Sequence, residues 1–206
     1  MRYEYEAAWV PFTTDRTIED AAAVAMKWAE HAAAERGRPA VLVTDLLGEY
    51  HGRKLFDGYR RDGRHVSPRS TALAARPGAV IAHAPTPKAL DLAMRLAHGT
   101  ALAVVEHPAP RRLFGWARIV GARDLLTGEP AAALDPQLVE RLEHLMFLGN
   151  NGYARGPGQT SARAVLRELH ADGLLDRDLV VSALAGMGVS PRSQDVIAGT
   201  VLPPAP

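Results

Sequence analysis

Cysteine is absent from the 206 residues. Without thiols there is no disulfide, no thiolate nucleophile and no sulfur ligand for zinc or an iron–sulfur cluster. Cysteine hydrolases and dithiol redox proteins are therefore excluded, and any metal would have to sit on histidine and carboxylates. Lysine is scarce as well: Lys27, Lys54 and Lys88 are the only ones, leaving 21 of the 24 cationic side chains as arginine. Arginine forks onto phosphate in bidentate geometry, although an excess of arginine, alanine and proline also follows from a GC-rich genome. An excess of one sign of charge is missing too, with 24 basic against 23 acidic residues. That balance excludes a uniformly cationic coat and leaves room only for a local basic patch. No apolar run approaches the ~18 residues of a membrane span, and Met1-Arg2-Tyr3-Glu4-Tyr5-Glu6 lacks the charged start and apolar segment of a secretory signal. The expectation is a cytoplasmic protein that makes no use of a membrane.

What is present is ordinary for a globular chain: 47% hydrophobic and 23% charged residues, enough for a packed core, over a length that suits one domain and an appendage. Tyr3, Tyr5, Ala7 and Trp9 alternate as in a half-buried strand that Pro11 ends. Thr17 and Asp20 form a capping-box pattern ahead of Ile18, Ala22, Ala25, Trp28 and Ala29, which repeat at helical spacing up to Gly37. Residues 39–44, 79–82 and 100–105 are short β-branched runs suited to central strands covered on both faces. Between the last two, residues 87–98 place Leu90, Ala93, Met94 and Ala97 on one helical stripe with Gly99 as its stop. Strand, helix and strand in that order imply a right-handed crossover. Residues 113–120 read as one more strand. The fold class this predicts is α/β: a mostly parallel sheet flanked by helices, Rossmann-like and three-layered, over residues 1–128. A C-terminal helical extension follows over 129–202, and 203–206 form a frayed tail.

In such sheets ligands bind beyond the carboxyl ends of the strands. Three predicted strands end in Thr44-Asp45, His83 and Glu106-His107, so Asp45, His83, Glu106 and His107 are candidate catalytic groups for acid–base work; no metal site is assigned to them. Thr86 before Pro87, and Thr13, Thr14 and Asp15 before the first helix, put helix N-termini on the same side, where an anion would be favoured. Residues 50–70 read as a long loop or hairpin excursion. It carries Arg53, Lys54, Arg60, Arg61, Arg64 and Arg69, with Tyr50, Phe56 and Tyr59 interleaved. Cations that neutralise phosphates beside rings that stack on bases make a pattern for nucleic acid. The glycines at 152, 156 and 158 do not make a phosphate loop, because Gln159 stands where lysine is needed and a helix, not a strand, precedes them. Residues 179–201 resemble a helix–turn–helix, with Arg192, Ser193 and Gln194 placed to reach bases, although Gln194 falls where a buried β-branched residue is expected.

Three functions follow as expectations. The first is binding of nucleic acid or another phosphorylated partner through Arg53, Lys54, Tyr59, Arg60, Arg61, Arg64, Arg69 and Arg192. The second is a small hydrolase or transferase acting on a phosphate-bearing substrate through Asp45, His83, Glu106 and His107. The third is a non-catalytic homo-oligomer assembled through the C-terminal helices. No cofactor is assigned.

Overall fold

A computed structural model describes residues 4–47, 54–73, 75–109, 112–149, 153 and 156–201. The chain folds into two compact units, Arg2–Arg112 with Ala122–Ala131, and Leu113–Gly121 with Ala132–Pro206. The strands of the first are β1 (Glu6–Val10), β2 (Ala40–Val43), β3 (His65–Val66), β4 (Ala79–His83), β5 (Ala101–Val105) and β6 (Arg123–Asp124). All pair in parallel, in the order β3-β2-β4-β5-β1-β6. The expected α/β class is the observed one.

Every residue of β2, β4 and β5 is buried, which is why these strands are unbroken apolar runs rather than alternating ones. Helix α1 (Ile18–Glu35) covers one face, where Ala21, Ala22, Ala25, Ala29, Ala32 and Ala33 meet Ala40, Ala79, Ala101 and Ala103. Small side chains on both sides of this layer let the helix backbone come close to the sheet. Thr17 starts α1, accepting the Asp20 N–H at 3.1 Å as the capping pattern predicts, while the Asp20 carboxylate takes the Thr17 hydroxyl at 2.7 Å where a capping box would place it on the Thr17 main-chain N–H. Helix α3 (Pro87–Leu96; α2 is Asp57–Arg61) buries Leu90, Ala93 and Met94 and packs on β2 and β4. The β1-to-β2 and β4-to-β5 crossovers run in opposite directions along the sheet, so right-handed connections place α1 and α3 on opposite faces.

Two sequence expectations are corrected. The segment 50–70 is not merely an excursion: it contributes a turn at Lys54–Phe56, α2 and the edge strand β3, with Leu42 N–H donating to the Arg64 carbonyl at 2.8 Å and Thr44 N–H to that of Val66 at 3.1 Å. A two-residue strand is too short to leave a hydrophobic period. Residues 113–120, read as a strand, form α4 (Phe114–Val120) within the second unit. A mostly apolar run does not by itself separate a central strand from a buried helix.

The rest of that unit is helical, α5 (Pro136–Leu148), α6 (Pro157–Ala171), α7 (Arg177–Gly186) and α8 (Pro191–Val196), around Leu142, Leu145, Leu166, Leu169, Val180 and Leu184. No strand follows Pro130 among the described residues. A Cβ on Gly115 of α4 would lie 2.1 Å from the Leu179 carbonyl oxygen of α7, and one on Gly186 of α7 would lie 2.3 Å from Ile119 Cγ2 of α4. Each glycine thus admits the other helix. In the α7–α8 corner, Gln194 is buried and its Nε2 donates to the Val189 carbonyl at 2.7 Å. The side chain satisfies the turn's backbone, which explains an amide where an apolar residue was expected. No helix among the described residues is long and apolar enough to cross a membrane.

Candidate functional site

The strand order holds two places where neighbouring strands send their connections opposite ways, and in such sheets these are where a crevice opens outside the carboxyl ends. At the first, β2 continues to β3 and β4 to β5, away from each other. The second lies between β5 and β1, whose chains continue past each other, β1 to β2 and β5 to β6. A cleft of about 210 Å³ lies there, with Pro11, Phe12, Ile18 and Ala21 as its apolar part and Thr13, Arg16, Thr17, Glu106 and His107 as its polar part.

Glu106 follows the last residue of β5 and is 1% exposed. Its Oε2 accepts the Phe12 N–H at 2.8 Å, and the Arg112 guanidinium forks onto both oxygens, Nε to Oε1 at 3.0 Å and Nη2 to Oε2 at 3.3 Å. The same guanidinium stands over the Phe12 ring, 5.5 Å from its centre. His107 meets that ring edge-on at 6.2 Å, and its Nδ1 lies 3.0 Å from the Ala109 carbonyl oxygen. Arg16 is exposed and forms no ion pair among the described residues. The cleft therefore has one carboxylate already neutralised by an arginine, and a second, exposed arginine whose charge is felt by the neighbouring Asp15 carboxylate without a direct ion pair.

The four residues singled out for catalysis do end neighbouring strands, since β2, β4 and β5 are adjacent and strands lie ~4.8 Å apart. Their partners differ. Asp45 Oδ1 accepts the Thr86 N–H at 3.0 Å and the Thr86 hydroxyl at 2.6 Å, so the first turn of α3 already holds a carboxylate of the protein's own. That occupies one of the two expected anion positions. His83 is buried edge-on against Phe56, 5.0 Å between ring centres. Only Glu106 and His107 reach the cleft. Among the described residues no three histidine or carboxylate side chains are grouped as metal ligands.

The basic segment is organised by ion pairs. Arg64 contacts Glu30 at 3.3 Å and Asp62 at 3.0 Å and lies over the Tyr59 ring at 4.6 Å; Arg60 contacts Asp57 at 3.2 Å. Tyr59 donates its hydroxyl to Glu30 at 2.5 Å. Burial first, and the Glu30 carboxylate second, push this phenol well above its ordinary pKa. Phe56 and Tyr59 are 1% and 3% exposed, so neither ring offers a face for stacking on a base. Lys54, Arg61 and Arg69 are exposed, and Arg53 lies outside the described residues. Arg192, on α8, is exposed.

Sequence reasoning missed Phe12, Arg16 and Arg112. The available signal was their position, in the loops that follow the first strand and β5. Comparison with protein-family models, with curated proteins and with solved structures gives no match. The molecule's class is that of a parallel α/β sheet with a carboxyl-edge cleft, and the cleft's own chemistry carries the reading of function.

Proposed function

We propose that the α/β unit binds a small phosphorylated ligand in the cleft between the carboxyl ends of β1 and β5. The observation that carries this reading is Arg16, an exposed arginine without an ion pair among the described residues, on the wall of a cleft at the carboxyl ends of β1 and β5, whose connections leave in opposite directions. The N-terminus of α1 lies in the same wall through Thr17 and Ile18, but Glu19 and Asp20 already stand in its first turn, so the attraction for an anion comes from Arg16. Pro11, Phe12, Ile18 and Ala21 suit a short apolar portion of the ligand. At about 210 Å³ the cleft is smaller than the ~300–1,000 Å³ of sites that enclose drug-sized molecules. It fits a phosphoryl group on a few-carbon body; the base of a nucleotide would remain outside. The nucleic-acid reading of the basic segment draws less support, because Arg60 and Arg64 are paired and both described aromatic rings are buried.

Titration with inorganic phosphate and glycerol 3-phosphate, followed by amide chemical shifts, tests the proposal. Shifts should centre on residues 11–18 and 106–107. Arg16→Ala should weaken binding about tenfold or more, since a charge-assisted hydrogen bond contributes ~1.5–3 kcal/mol, while Arg61→Ala leaves it unchanged. Absence of binding at millimolar ligand, or loss with Arg61→Ala and not with Arg16→Ala, would end this reading.

A further inference from the structure

We infer that Glu106 and Arg112 are positioning residues of the cleft, which hold Phe12 as a fixed wall so that the loop carrying Arg16 is set before a ligand arrives. The inference rests on the small-anion reading and adds to it an assignment that electrostatics alone would reverse. A carboxylate under an anion site opposes binding, so its removal ought to help. Here the carboxylate is fully buried while the Arg112 side chain is 37% exposed, so the desolvation of the carboxylate offsets much of the pair's Coulomb attraction and the pair adds little to stability. What the pair does have is geometry. Glu106 takes the main-chain N–H of Phe12 from a position 94 residues away in the chain, and Arg112 covers the ring of the same residue. Glu106 N–H also donates to the Val10 carbonyl at 3.0 Å. The end of β1 is thus tied to the end of β5 through backbone and side chain at once.

The consequence is that Phe12 is gripped at its amide and on its ring by one ion pair, and residues 13–16 start from a fixed point. A ligand then meets an arginine whose loop is already ordered, and less binding energy goes into ordering it.

The test compares phosphate and glycerol 3-phosphate affinities of the wild type, Glu106→Gln and Arg112→Ala, with folding checked by circular dichroism and the Phe12 amide proton recorded by NMR. Glu106→Gln is expected to weaken binding about tenfold although it removes a negative charge, and to move the Phe12 amide proton upfield as the carboxylate bond is lost. Arg112→Ala should weaken binding in the same direction. Tighter binding by folded Glu106→Gln, or a change of less than about twofold with an unmoved Phe12 amide, would overturn the assignment. If Glu106→Gln fails to fold, Glu106→Asp keeps the charge but shortens the reach. Several-fold weaker binding supports positioning, and unchanged binding overturns it. Failure of the small-anion reading is distinguishable, because then the wild type itself would not bind or would be indifferent to Arg16→Ala.

Discussion

Tyr153 shows how one side chain is held against a helix. Its ring covers Gly149, where a Cβ would come within 2.3 Å of the ring, and its hydroxyl donates to the Leu145 carbonyl at 2.5 Å. Burial pushes its pKa up to about 12. For a phenol that means the neutral form is favoured in the folded state. Its contribution to stability is complete below the ordinary pKa near 10 and is lost as pH rises from there through about 12, since the unfolded chain ionises first. Tyr153→Phe should cost ~1 kcal/mol at neutral pH and flatten the decline in stability above pH 10. Chemical denaturation at several pH values measures both, and an equally steep alkaline decline in the variant would assign it to other groups, among them Tyr59. None of this was legible in the glycine-rich stretch around residue 153, because the Leu145 carbonyl that orients the ring belongs to the preceding helix.

At the scale of elements, long runs were legible and short ones were not. The Thr17–Asp20 cap and the β-branched runs of β2, β4 and β5 read directly, because each is a local property of consecutive residues. The first strand was found but not its half-buried alternation, since β1 lies between β5 and β6 and buries Ala7, Ala8, Trp9 and Val10 in succession. The edge strands β3 and β6, two residues each, exist only through pairing with β2 and β1. Helix α4 is the instructive failure, since Gly115 weakens both a strand and a helix in isolation. What decides is α7, which needs a backbone without a side chain at that crossing, and which donates nothing to the local pattern. Gly115 N–H also finds Ser182 Oγ at 3.1 Å. Gly115→Ala is therefore expected to destabilise the helical unit by about 3 kcal/mol, as overpacking against a backbone carbonyl does. Gly58→Ala, with open space around its Cβ position, should be neutral or mildly stabilising through helix propensity. Denaturant midpoints decide; a Gly115→Ala protein as stable as wild type would mean that α4 and α7 separate at little cost.

At the scale of the whole molecule, the candidate site depends on strand order, which no stretch of sequence announces. Glu106 and His107 were legible as strand-end residues, but Phe12 and Arg16 became their neighbours only when β5 was found beside β1. Charge distribution yields the last prediction. With a net charge of +1 the molecule has no long-range pull on polyanions, and Arg60 and Arg64 are already paired with acids. A single strand engaging Lys54, Arg60, Arg61, Arg64 and Arg69 would release counterions with a log–log salt slope of about −0.7 per phosphate, or roughly −3.5 for five contacts. A small phosphate carries no condensed counterions, so binding at one arginine changes only through screening, with a log–log slope no steeper than about −1. We expect glycerol 3-phosphate to lose about fourfold in affinity at most between 50 and 200 mM salt, as the Debye length falls by about half, and a single-stranded oligonucleotide to bind no more tightly than phosphate. Isothermal titration across that range is the measurement. A steep oligonucleotide slope abolished by replacing Arg60, Arg61 and Arg64 with alanine would move the binding function from the carboxyl-edge cleft to the β3 edge of the sheet.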